Sequence, residues 1–220
     1  MSRLLVRTTG VGFAVLVLAS EILKGNSPSP TGPENKIVSF FADHRSAILA
    51  GAYVQMLALF LLALAFSALA DELMPRDTLA GKLGRLGLIL TLVAYTTYVF
   101  WTSALAFGAA VDAGSQTARA LWQIRFVSET FLSFPVALLI GSVGVSTRGT
   151  VMDRWYRWFS LTIAALFLLG GAAVARNGFF APDGGLGFIL FWLLPLWVVV
   201  TVFAATRRRD PAPSQAAAAA

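Results

Sequence analysis

The chain has 220 residues, 57% of them hydrophobic and only 13% charged, with a mean hydropathy of +0.74. Soluble domains carry roughly 25% charged residues, so the composition excludes a water-solvated globule and points to an all-α polytopic membrane bundle. Cysteine is absent, which removes disulfides, thiolate catalysis, Fe–S clusters and Cys-based zinc sites. The formal charge of +6 sits in short segments between apolar runs, so membrane topology accounts for it better than nucleic acid does.

Six apolar runs follow in chain order, at about 8–23, 46–70, 86–111, 126–146, 159–175 and 186–205. Most approach the ~20 residues needed to cross a bilayer core. Unpaired backbone groups in hydrocarbon cost several kcal/mol each, so these runs must be helices; the period-2 alternation of a membrane barrel is missing. The first run also resembles a signal peptide, with a basic start and small residues near Ser20, but Leu18 and Glu21 suit a cleavage site poorly. The first connection contains "GNSPSPTGPENK", whose Pro, Gly and Ser cannot continue a helix. "IVSFFADHRS" then reads as a short interfacial helix. The tail 207–220, "RRRDPAPSQAAAAA", has the low complexity expected of a disordered cytoplasmic segment.

Lys and Arg set the orientation. With the first residues in the cytoplasm, eleven of the seventeen cations fall inside: Arg3, Arg7, Arg76, Lys82, Arg85, Arg148, Arg154, Arg157 and Arg207–Arg209. This bias predicts six spans in the bacterial cytoplasmic membrane with both termini cytoplasmic.

On that topology the unusual polar residues gather at the outer side. Glu21 lies one turn before the end of the first span. Asp43, His44 and Arg45 precede the second, Asp112 closes the third, Gln123, Arg125 and Glu129 begin the fourth, and Arg176 ends the fifth. Arg125 and Glu129, spaced i, i+4, share a helix face, and Glu129 lies about 6 Å deeper. Pro135 follows and is expected to open space beside the pair. Thr91, Tyr95, Tyr98 and Thr102 form one polar stripe on the third span, while Phe100, Trp101, Phe107, Trp122 and Phe126 offer aromatic walls at similar depth.

Each signal has a plainer reading. Arg125 and Glu129 can lock two helices together, Asp43 can cap the second span, Glu21 can reach the headgroups, and the Tyr/Thr stripe can serve interhelical hydrogen bonding. A lone histidine, His44, makes a His-rich metal site or a bis-His haem impossible within one chain; a mixed Asp/His/Glu metal site is a minor alternative. Lys24, Lys36 and Lys82 fall outside the expected spans, which counts against a retinal Schiff base. There is no Walker A loop, GxGxxG after a strand, GxSxG or HExxH, so no cofactor is expected.

The stretch "FFADHRSAILAGAYVQMLALFLLALAFSALADEL" resembles a group of uncharacterised multi-pass membrane proteins from high-GC bacteria. In that group a Pro-rich outer loop leads to a "YYADN-R" type stretch and a Gly/Ala/Tyr helix. Phe40, Phe41, Ala42, Asp43, His44, Arg45, Gly51 and Tyr53 carry the likeness, with Phe-Phe for Tyr-Tyr and His for Asn. It covers roughly the first 85 residues and implies a membrane bundle without assigning an activity.

The expectation is an integral membrane protein whose outward-facing polar pocket binds a small amphipathic or lipid-like ligand or a partner helix, with membrane lipids around it. Asp43, His44, Arg45, Tyr95, Tyr98, Trp101, Trp122, Arg125 and Arg176 are the candidate lining. The alternative is a membrane-embedded cyclase or isomerase of an isoprenoid-like substrate, with Glu129, Glu21 or Asp112 as the acid and aromatic walls to stabilise carbocations. A transporter ranks third, because no inverted repeat is visible.

Overall fold

Capping residues set the ends of several helices. Ser2 Oγ accepts a hydrogen bond from the Leu5 amide at 3.3 Å and starts α1 (Arg3–Lys24), which ends where Gly25 turns to φ 70°. After the Pro-rich loop, Glu34 supplies a carboxylate to the first turn of α2 (Glu34–Asp43), where negative charge complements the helix dipole. Helix α3 (Arg45–Leu73) follows after His44. Thr78 Oγ1 accepts from the Gly81 amide at 3.0 Å and caps α4 (Leu79–Ala104). A π-helical turn (Leu105–Ala109) and a last helical turn, α5 (Ala110–Asp112), continue it. Helices α6 (Ser115–Ser146), α7 (Arg154–Gly171) and α8 (Gly185–Arg207) complete the chain. α6 runs through Pro135 and α8 through Pro195 without ending.

This computed structural model describes residues 2–112, 114–147, 154–171, 178–179 and 184–207, and no strand occurs among them. Five helices are long and apolar enough to cross a membrane: α1, α3, the 79–112 unit, α6 and α8. The described part of α7 has 18 residues and opens with Arg154 and Arg157, so its apolar stretch is shorter. The helices overrun the expected spans at several ends, because capped polar turns extend them beyond their apolar stretches.

The long helices form a closed ring in which α1 packs on α3, α3 on α4, α4 on α6, α6 on α7, α7 on α8, and α8 back on α1. Side-chain contacts fix the directions. Arg7 Nε donates to Thr206 Oγ1 at 2.7 Å, so the start of α1 meets the end of α8. Tyr156 and Thr201 hydroxyls share a 2.8 Å bond, while Gly170 faces Leu190, so α7 runs antiparallel to α8 along most of its length. The main core holds Phe13 and Val17 from α1, Leu62 and Phe66 from α3, Leu139 and Ile140 from α6, and Trp197 and Val198 from α8. At the opposite end from Arg7, a second cluster joins Ile37 and Phe41 of α2 to Ile48, Leu105, Trp122 and Phe126.

Between helices that stay in lipid, close packing replaces the hydrophobic drive. Gly87 of α4 lies against the α6 backbone, where a Cβ would sit 2.6 Å from the Leu139 nitrogen. Gly51 of α3 does the same for α1: a Cβ there would meet Lys24 Cγ at 2.8 Å and the Ser20 carbonyl oxygen at 2.9 Å. That second contact lets the Lys24 stem lie flat on α3, which positions its ammonium.

Candidate functional site

The end of α1 carries Ser20, Glu21 and Lys24 into the bundle. Lys24 lies on the buried face of α1 defined by Phe13, Val17 and Ser20. Its ammonium donates to Glu21 Oε1 at 2.6 Å and to Gln55 Oε1 of α3 at 2.5 Å. Ser20 Oγ donates to the same Gln55 oxygen at 3.5 Å. Gln55 is buried and is the acceptor that holds the ammonium against α3.

Helix α6 supplies the second ion pair. Arg125 Nη1 donates to Glu129 Oε2 at 2.6 Å, and Nη2 donates to the Tyr98 hydroxyl of α4. The guanidinium carbon lies 4.2 Å from the centre of the Tyr98 ring, 4.5 Å from Phe126 and 4.8 Å from Trp122. These π faces attract a cation and substitute in part for water. The Lys24 ammonium sits 5.5 Å from the same Tyr98 ring, so Tyr98 joins the two pairs. The side chains of Lys24 and Arg125 are each 8% exposed, whereas Glu21 and Glu129 are 35% and 37% exposed. Both cations are therefore sealed inside and both carboxylates reach outward.

The polar stripe of α4 faces protein: Thr91, Tyr98 and Thr102 are buried, and Tyr95 packs edge-on against Tyr98 at 6.3 Å. Trp122 is buried, and its indole N–H donates to the Pro28 carbonyl at 3.0 Å; the Gln123 amide nitrogen donates to the Pro30 carbonyl at 3.2 Å. These bonds hold the Pro-rich loop against α6. Beneath it lies a small cavity of about 20 Å³ lined by Glu21, Lys24, Phe41, Thr102, Trp122 and Arg125, room for about one water.

A larger cleft of about 70 Å³ lies on the Glu129 side of the pair. Tyr95, Glu129, Thr130 and Ser133 supply its polar lining, and Leu132, Val136, Phe167, Gly170, Leu186, Leu190 and Phe191 supply apolar walls from α6, α7 and α8. Ser133 and Val136 lie within two residues of Pro135, through which α6 continues.

Of the other sequence candidates, Asp43, His44, Arg45 and Asp112 are exposed, and no ion pair or hydrogen bond joins them to the cluster among the described residues. Asp43 ends α2 rather than capping α3, whose N-cap residue is His44. His44 stacks on Phe40 at 5.1 Å, and the Arg45 guanidinium sits 5.4 Å from the Phe107 ring. Trp101 is half-buried, and Phe100 and Phe107 are exposed. Arg176 lies outside the described residues. Among those described, no group of three His, Cys, Asp or Glu side chains is placed to hold a metal ion.

Lys24 is the main correction. Its place beside Gly25 and the prolines suggested a loop cation, yet it ends α1 with its side chain inside. The signal was present: Phe13, Val17, Ser20 and Lys24 repeat at i, i+4, i+7, i+11, one buried face, and Glu21 stands i−3 from Lys24. The walls contributed by α7 and α8 carry no charged group and gave no comparable signal.

No protein-family model matches this chain, and neither a curated protein nor a solved structure shows significant similarity to it.

Proposed function

We propose that this chain is a six-span protein of the bacterial cytoplasmic membrane that binds a small amphipathic or lipid-like ligand in the cleft beside Glu129. The observation that carries this reading is the cleft's position. It adjoins a sealed ion-pair cluster on one side and apolar walls from three helices on the other, and such a boundary suits a molecule with one polar end. An acid-catalysed cyclase is the second reading. It ranks lower because a working acid needs a carboxyl free to hold its proton, and Glu21 and Glu129 each already accept from a cation at 2.6 Å.

The antiparallel contacts along α7 support its counting as the sixth span, with the start of α1 and the end of α8 on the cytoplasmic side. The distribution of charge supports the same orientation. Eight cations of the described helices and loops lie toward the Arg7 end: Arg3, Arg7, Arg76, Lys82, Arg85, Arg154, Arg157 and Arg207. Of the five toward the other end, Lys24 and Arg125 are buried against carboxylates, which sharpens the positive-inside bias at the surface. Single cysteines in this cysteine-free chain give a clean test. Ser27→Cys is expected to react with an impermeant thiol reagent on intact spheroplasts, and Ser214→Cys only after permeabilisation. The reverse pattern would refute the orientation.

The ligand reading is tested with Thr130→Cys, which places a thiol in the cleft, against Phe131→Cys, where the native side chain is 56% exposed. Extracted membrane lipids are expected to slow modification of the cleft thiol by a small methanethiosulfonate in reconstituted vesicles, and to leave the Phe131→Cys rate unchanged. Equal rates at both positions with and without lipid extract would remove the reading.

A further inference from the structure

The cleft also indicates the kind of head group it takes, an inference that rests on the ligand reading above. Three polar groups line it without a hydrogen-bond partner among the described residues. Glu129 Oε2 is taken by Arg125, and its second oxygen has no donor. The Ser133 and Tyr95 hydroxyls likewise make no hydrogen bond, although Ser133 is only 7% exposed. Glu129 and Tyr95 are only half-buried, but lipid offers their free hydrogen-bonding capacity no partner, so a carboxylate oxygen and two hydroxyls lining one cleft point to a polar group seated among them. The carboxylate oxygen is acceptor-only, and each hydroxyl can donate or accept. The matching group therefore donates to Glu129 and exchanges hydrogen bonds with Ser133 and Tyr95.

Charge narrows the choice. Lys24 with Glu21 and Arg125 with Glu129 form two closed pairs, so the cluster has no net charge to offer a ligand. An anionic head would face the Glu129 carboxylate while both cations turn away from it. A cationic head would bring a third positive charge beside Arg125. Either would stay uncompensated in an apolar setting, which is costly. A neutral hydroxyl meets neither penalty. Size sets the rest: about 70 Å³ is less than the ~150 Å³ of an engineered cavity that accommodates benzene. The cleft thus has room for a head and its first carbons, and the remaining chain lies outside among the acyl tails.

We infer that the ligand is an uncharged long-chain alcohol whose hydroxyl seats between Glu129, Ser133 and Tyr95. The test uses Thr130→Cys in phosphatidylcholine vesicles, with hexadecanol, hexadecyl sulfate and hexadecyltrimethylammonium as probes of equal chain length. Hexadecanol is expected to protect the thiol at a membrane concentration at least about tenfold lower than either charged chain. Adding Ser133→Ala, which removes one hydrogen bond, is expected to raise the hexadecanol requirement about fivefold and leave the charged chains unchanged. Protection by the sulfate or the ammonium equal to or better than by the alcohol overturns the head assignment while leaving the cleft as an amphiphile site. Absence of protection by all three overturns the assignment together with the ligand reading.

Discussion

Glu129→Leu is expected to destabilise the bundle by about 3–5 kcal/mol, the range seen when one member of a buried ion pair is removed. The variant leaves the Arg125 guanidinium inside the protein with the Tyr98 hydroxyl and three ring faces, none of which carries a negative charge. Arg125 cannot escape by losing its proton. The reverse change is milder. Arg125→Met leaves the Glu129 carboxyl, which can shed its charge by taking up a proton as the guanidinium cannot, so a loss of about 1–2 kcal/mol follows. The double variant is expected to be more stable than Glu129→Leu alone, because it leaves no stranded charge. Unfolding in mixed micelles with increasing dodecyl sulfate, followed by tryptophan fluorescence, ranks the three. If Arg125→Met proved the costlier single change, the guanidinium would not be the sealed member of the pair.

Trp197→Ala is expected to cost about 3 kcal/mol, the lower end of the range for Trp truncation in soluble cores. Trp197 is fully buried, stacks on Phe66 at 5.5 Å and donates its indole N–H to Ser160 Oγ at 3.0 Å. Its removal opens a void where α3, α7 and α8 meet and takes one hydrogen-bond donor from the Ser160 hydroxyl. The lower end applies because the reference state remains largely in lipid, which reduces the transfer contribution and leaves lost contacts and the cavity. Trp197→Phe is expected to recover most of the loss by keeping the stack with Phe66. The same dodecyl sulfate titration measures both, and equal losses for the alanine and phenylalanine variants would place the stability in the Ser160 bond instead of the packing.

The helices were legible because a bilayer leaves little choice: a long apolar run must satisfy its own backbone. Helix α2 was legible in part: "IVSFFADHRS" reads as a short helix, whereas residues 34–36, grouped by sequence with the Pro-rich loop, form its first turn. The Arg125–Glu129 pair followed from i, i+4 spacing alone, a local relation that one helix enforces. Lys24–Gln55 was harder, because it depends on α1 and α3 approaching at Gly51, which no single helix encodes. The cleft walls were harder still. Phe167, Leu190 and Phe191 look like any lipid-facing residues until the ring order sets α7 and α8 beside Glu129. Asp43, His44, Arg45 and Asp112 show the opposite case: charges at helix ends cluster along the sequence without converging in space.

The Arg7–Thr206 contact has a consequence for how the chain can be cut and rejoined. Because the first and last helices are neighbours, the circle of helices has no seam that depends on a particular peptide link. A circularly permuted gene, with a short linker from the end of α8 to the start of α1 and new termini between α6 and α7, would keep each pair of adjoining helices and leave both ion pairs within unbroken segments.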